Sequence, residues 1–318
     1  MALERAEIVL PARGRFDLRA TVLSNGWHQV PPYRWHDGRR PVLERAEELA
    51  DGSVHLLRLR PAPRGVVLQV SGEDAREIEV LAPLAARVRR ALNLDLDPAV
   101  FQRASTGDPL LGHVRSLGLG RLLRGTSLFE DLVKVLAVGN TTWPNSVEAA
   151  ARLGALGPRC PALPAMRAFP GPAALARLGI RRLRERTNLG DRARSVIAAA
   201  RDVVRGRHDL RAIEHLSGME ASRRLRKIRG LGSLGVARLL LLLGHHDHPV
   251  RDPAARAFAR RVLGGDGAPL ERWLRGQRPC RGLALWFAQW SETPTAAGPA
   301  RLRTLRRQRR PGCRAARS

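Results

Sequence analysis

The rhythm of apolar positions changes about a third of the way along the chain. Before that point VHLLRLRPAPRGVVLQV (54–70) holds two short alternating or β-branched runs separated by a Pro/Gly turn, and FDLRATVLS (16–24) alternates in the same way. Both patterns predict strands, and several such strands make an antiparallel sheet. LAPLAARVRRALNLDLD (81–97) then carries apolar residues at helical spacing and marks the change of regime. From Phe101 onward the pattern is helical, with Gly and Pro between segments: FEDLVKVLAVGN, SVEAAARLGAL, GPAALARLGI, DRARSVIAAARDVV, GMEASRRLRKI, GVARLLLLL, DPAARAFARRVL and GLALWFAQW. No fixed period recurs, which argues against a solenoid. Residues 292–318 have no core-forming pattern and predict a basic, disordered tail. The reading is α+β: a small N-terminal antiparallel sheet domain (1–100), an all-helical domain (101–291) and the tail (292–318).

With 318 residues the chain can bury a sizeable core. Its longest uncharged apolar run, 239–243, is far too short to cross a bilayer. The opening MALERAEIVL mixes charges of both signs and does not read as a signal peptide, so a cytoplasmic protein is expected. Cys160, Cys280 and Cys313 are odd in number and far apart, which argues against a disulfide framework and against a four-thiolate cluster. Charge changes the picture more. The 56 basic residues outnumber 29 acidic ones, for a formal net charge of +27, and all but Lys134 and Lys227 of the basic residues are arginine. Arginine in place of lysine fits a GC-rich genome; the excess of bases over acids points instead to a polyanionic partner. No basic amphipathic helix with a bulky aromatic face favours a membrane surface, so nucleic acid is preferred. Eight arginines and no acid follow residue 300, yet the rest of the chain is basic too.

The most informative segment is LRKIRGLGSLGVARLLLLLG (225–244). A helix should end near Ile228, Gly230 and Gly232 allow a tight turn, and a second helix should start at about Ser233, whose hydroxyl can cap it. Such a helix-hairpin-helix presents backbone N–H groups that can hold a phosphate without reading sequence. Alone, GxG before a helix also fits a plain αα-corner. The residues expected at DNA are Lys227, Arg229, Gly230, Gly232, Ser233 and Gly235.

The hairpin, a short loop and PVRDPAARAF together resemble the helix-hairpin-helix base-excision DNA glycosylase superfamily, with Asp252 where that family has an aspartate about twenty residues beyond the hairpin glycines. EDLVKVLAVGNTTW (130–143) resembles the helix leading into the family's DNA-wedge loop, which assigns Asn140 and Thr141, with Thr142, to the gap left by a flipped nucleotide; a helix-capping turn is the plainer reading. NLGDRARSVIAAARDV (188–203) resembles the LGYRA segment. RPCRGLALWFAQW (278–290) resembles the closing helix of 3-methyladenine DNA glycosylase II, and FDLRATVLSNGWHQVPPYRW its opening sheet domain. The resemblance spans about residues 15–290 and rests on the order of the five matches, since none is specific alone. It implies a glycosylase that removes a damaged base, alkylated or oxidised, from duplex DNA in base excision repair, working as a monomer. No organic cofactor is implied; a monovalent cation at the hairpin carbonyls is allowed.

Breaking an N-glycosidic bond builds positive charge on the sugar, so the site needs a fixed carboxylate near the anomeric carbon. Pro253 suits the first helical position, which puts Asp252 at an N-cap where the helix dipole favours negative charge, and Arg251 acts in the same sense. Asp-Pro is also simply a good helix start; Asp247 is the fallback. Strand cleavage through a Schiff base needs an amine, and the resemblance puts Leu234 where bifunctional members carry lysine, so a monofunctional enzyme is expected. Lys227 should face phosphate or solvent, and Lys134 lies in an apolar helical pattern. A flipped base is held between flat or apolar side chains, for which Trp27, Tyr33, Trp35, Trp143 and Trp286 are candidates, each also plausible as core. Departures from the alkyladenine enzymes put an alkylated-purine preference in doubt: Leu234 and Arg238 in the hairpin helix, Cys280 in the closing segment and Asp191 in the LGYRA segment. His245, His246, Asp247 and His248 are adjacent loop residues without a suitably spaced partner, and no metal is expected there. The rival from another class is a helix-hairpin-helix module that binds distorted DNA without cutting any bond.

Overall fold

The computed structural model describes residues 3–139 and 141–289; Asn140 and the basic tail 292–318 lie outside them. Five strands form one antiparallel sheet: β1 (Glu4–Pro11), β2 (Tyr33–His36), β3 (Val42–Glu48), β4 (Val54–Ala62) and β5 (Gly65–Gly72), in the order β1-β5-β4-β3-β2. The two runs of 54–70 are the hairpin β4–β5, paired from Leu56–Ser71 to Ala62–Gly65. Their period of two places Leu57 and Leu59 in the main core, while Val54 and Leu56 face the other way.

FDLRATVLS is not a strand. It forms the helix Leu18–Val22, because Asp17 takes the N-cap and its carboxylate accepts the Ala20 amide at 2.9 Å. Over so few residues alternation and helical spacing look alike, and the cap decides. The helical regime begins with Ile78–Leu92, ended by Asn93 in the left-handed conformation (φ 53°). All eight segments read as helices contain one, the hairpin pair being Gly218–Leu225 and Ser233–Leu242. One piece departs from the all-helical expectation: β6 (Arg159–Cys160) and β7 (Leu163–Arg167) make a small hairpin. It covers the outer face of the large sheet, where Cys160, Met166 and Ala168 bury Val54 and Leu56.

Sheet and helices meet around Leu128–Val138, a helix with every residue buried, including Glu130, Asp131 and Lys134. Those charges survive burial only because they are paired. Glu130 Oε1 accepts from Lys134 Nζ at 2.7 Å, and its Oε2 accepts from Arg45 Nη2 of β3 at 3.0 Å. Arg45 also reaches Glu47 Oε2 at 2.5 Å and Thr126 Oγ1 at 3.0 Å. Asp131 is held by Arg90 at 2.9 Å. Burial pushes the Glu130 carboxyl up, but Arg45 and Lys134 outweigh it and hold that carboxyl far below the usual range. Burial pulls the Lys134 ammonium down, with Glu130 opposing.

Candidate active site

Of the two hairpin glycines the turn requires only Gly230, since a Cβ at Gly232 would meet nothing within 4 Å. Gly230 has φ +83°, and a Cβ there would stand 2.1 Å from Ser195 Oγ, so conformation and space both require glycine. Ile228 and Leu231 are buried beneath the turn. Ser233 does not cap: Gly232 is the N-cap residue, extended at φ −72° and ψ 176°, with no side-chain cap bond. Residues 232–234 are exposed, so the first amides of this helix are open to an outside acceptor, as at other anion-binding helix starts. Lys227 and Arg229 are exposed beside them.

Asp252 is the N-cap of the helix Pro253–Val262, with φ −74° and ψ 172°. Its Oδ1 accepts the Ala255 amide at 2.9 Å, and its Oδ2 accepts from Arg238 Nη2 at 2.8 Å. The carboxylate is therefore fixed in direction from two sides, and it keeps 14 % exposure toward a cavity of about 420 Å³. That volume lies in the range of small-molecule sites. Trp27, Trp143 and Trp286 line it together with Arg238, Thr141 and Asn25.

The aromatic walls are held by specific bonds. Trp143 Nε1 donates to Gln29 Oε1 at 2.9 Å, and Trp286 Nε1 donates to the Ser24 carbonyl at 2.9 Å. Asn25 donates to the Leu123 carbonyl at 2.7 Å and accepts the Trp27 amide at 3.0 Å. Trp27 is buried, and its Nε1 has no partner among the described residues.

Tyr33 and Trp35, two of the aromatic candidates, do not line this cavity. Tyr33 is buried in the charge network, with Arg45 4.6 Å and Lys134 5.0 Å from its ring centre and its hydroxyl donating to the Arg124 carbonyl at 2.5 Å. Burial, the largest influence, pushes its phenol above the usual range. Trp35 packs against the main core from β2. Asp247 also lies off the cavity: Arg281 grips both its oxygens at 2.7 and 2.8 Å, and burial raises its carboxyl less than Arg281 lowers it. It borders a second, open cleft with Ser233, Leu234, Arg251, Arg256, Arg260 and Arg281. Pro253 borders both cavities, so a basic cleft runs from the hairpin helix to the mouth of the aromatic one. Among the described residues no cluster of three His, Cys, Asp or Glu side chains could hold a metal ion. His246 is pulled down to about 4 by burial, with Arg124 and His245 adding to it.

Sequence reasoning noted Arg238 only as a departure and missed Asn25. The signal for Arg238 was present, since it is the single charged residue in the otherwise apolar helix SLGVARLLLL.

No protein-family model matches the sequence, and no curated protein matches it significantly. Solved structures do. A 3-methyladenine DNA glycosylase from Archaeoglobus fulgidus superposes with a TM-score of 0.68 at 20 % identity, over 90 % of this chain and 98 % of that one. The chain has the fold of a DNA glycosylase. MBOgg1, solved with a low-affinity DNA ligand, gives 0.60 at 19 % identity over 81 % and 97 % of the two chains. The Clostridium acetobutylicum 8-oxoguanine glycosylase/lyase, solved with duplex DNA carrying cytosine opposite 8-oxoguanine, gives 0.59 at 15 % identity over 82 % and 97 %. Within this fold, the loop before β2, the second helix of the hairpin and the Asp252 helix border one groove system.

Proposed function

We propose that the chain is a monofunctional DNA glycosylase, a base-excision repair hydrolase that removes a damaged base from duplex DNA. The observation that carries this is Asp252: a carboxylate fixed at a helix N-terminus, on the wall of a tryptophan-lined cavity, next to a hairpin with open amides and a basic cleft. The hairpin and the arginines of the cleft take backbone phosphates. The damaged base turns out of the stack into the cavity against Trp27, Trp143 and Trp286. As the C1′–N bond breaks, the electron pair leaves with the base, and Asp252 stabilises the positive sugar and takes a proton from the water that adds to C1′.

Three features support hydrolysis without strand cleavage. Leu234 stands at the second hairpin helix where an amine would be needed, Lys134 is buried against Glu130, and Lys227 is exposed on the other limb of the hairpin. No organic cofactor enters the reaction. A monovalent cation at the hairpin would share the Ile228 carbonyl with the Leu231 amide, which already donates to it at 3.2 Å, and no step depends on such an ion. The protein is expected to act as a monomer in the cytoplasm, at the nucleoid.

One observation favours the rival of a binding module that cuts nothing: Arg238 already occupies Asp252 Oδ2. Duplexes with single lesions, incubated with the protein and then treated with alkali, separate the two. Strand breaks at the lesion support the enzyme; binding without any abasic site, across a broad lesion panel, leaves the module. Borohydride should trap no covalent complex, and a strong trapped band would refute the monofunctional reading.

A further inference from the structure

Among the described residues Arg238 makes one hydrogen bond, to Asp252 Oδ2. It is the one charged side chain in an apolar helix. Nη2 makes that bond; the other N–H groups of the fork are unspent, and the side chain keeps 32 % exposure at the cavity wall. Trp27 Nε1 has no partner among the described residues either, but that atom is itself buried, so the donors that face the cavity are those of Arg238. Asn25, Trp143 and Trp286 are already committed to protein acceptors. The unspent donors at this wall therefore belong to the Arg238 guanidinium, whose charge is balanced in this structure by Asp252.

Such a wall discriminates between two kinds of damaged base. A neutral base leaves as an anion, because it keeps the electron pair of the broken bond. A base made cationic by N-alkylation leaves neutral and needs no such help. A guanidinium beside the leaving base stabilises the first departure, whereas it repels the second base before anything breaks. The same guanidinium left on Asp252 would cancel the charge that the sugar cation requires.

Resting on the glycosylase reading, we propose that Arg238 moves from Asp252 to a ring carbonyl of the flipped base and stabilises its departure, so that the site acts on neutral, carbonyl-bearing lesions and rejects cationic N-alkylated purines. The base draws the guanidinium across, which frees Asp252 Oδ2 to face the sugar only when a suitable base is in place. In the step itself C1′–N breaks with its pair going to the base, C1′–O forms with water, the water proton passes to Asp252, and the base anion is protonated from solvent. Arg238 gives up no proton.

The test uses the full chain and duplexes carrying one uracil, hypoxanthine, 8-oxoguanine, 7-methylguanine or 3-methyladenine, read as alkali-labile breaks under single turnover. The wild type should release at least one neutral base and the two methylpurines at least about 100-fold more slowly. Arg238→Gln should slow the neutral base by about 100-fold while release of 7-methylguanine rises; Arg238→Lys, which keeps the charge, should retain part of the neutral-base rate. Melting curves check that both variants are folded. Release of methylpurines in preference to every neutral base, or an equal loss on both classes in Arg238→Gln, would overturn the inference and leave the glycosylase reading standing. No abasic site from any duplex, with any variant, would overturn both.

Discussion

The indole of Trp143 closes directly on Gly26, so that a methyl group at position 26 would stand 2.2 Å from its ring carbons. One wall of the aromatic cavity thus comes from the loop before β2 and the other from the helix Trp143–Gly154, and they meet without a side chain between them. Gly26→Ala should push the indole off Gln29 and reshape the cavity. We expect a loss of about 1–3 kcal/mol in stability, as for other overpacked sites, with tryptophan emission shifted and base release slowed while lesion-free duplex still binds. Unchanged emission would show that the indole is not seated there.

Asp252→Asn keeps the shape of the N-cap and removes the charge. Base release should fall by about 100- to 1,000-fold, the scale for losing one electrostatic stabiliser of a transition state. Affinity for duplex should hold or rise slightly, since Arg238 is then released from its ion pair. Single-turnover rates and a binding isotherm on the same preparation decide; undiminished turnover moves the chemistry to another group.

Gly230→Ala attacks the hairpin through its backbone. Left-handed backbone costs a residue with a Cβ about 1–2 kcal/mol, and here Ser195 must also give way. The turn should loosen, the melting midpoint drop, and affinity fall equally for damaged and undamaged duplex, because a phosphate grip carries no base information. A loss confined to damaged duplex would contradict that role.

The helical half was legible because its segments are long enough to show their period, and the hairpin because its glycines stand at a set spacing from Asp-Pro, since GxG alone also fits a plain αα-corner. The helix at Leu18–Val22 was not legible, since five residues show no period and only the Asp17 cap distinguishes the outcomes. The hairpin β6–β7 was missed for the same reason: Arg159–Cys160 has no periodicity to read. At the site, the N-cap at Asp252 followed from Asp-Pro, whereas the choice among aromatic residues could not be made locally. Tyr33 and Trp27 are six positions apart and Lys134 lies over both rings, yet Tyr33 sits among buried charges and Trp27 at the cavity, and that division depends on residues nearly a hundred positions away, Leu123 and Arg124.

Acid should weaken the fold through His246. Its ordinary value is 6.5 and the folded environment holds it at about 4, chiefly by burial, with Arg124 and His245 nearby. Between those values the unfolded chain binds the extra proton, so the contribution is complete above pH 6.5 and is lost as pH falls toward 4, on the order of 1–3 kcal/mol. Melting midpoints measured across that window should decline, and His246→Gln should flatten most of the decline. A variant with the wild-type slope would assign the effect elsewhere.

One carboxylate, that of Glu130, is shared by a guanidinium from the sheet and an ammonium from the helical half. Swinging the two halves apart would break the buried bonds from Arg45 to Glu130 and Thr126 and leave each with fewer partners, so the gap between the halves is set before any ligand arrives. On the glycosylase reading, the elastic work of fitting then falls on the nucleic acid: a duplex must bend to enter a jaw that does not yield. A stack already weakened by a lesion bends more readily than an intact one, and rigidity on the protein side becomes a first sieve for damage.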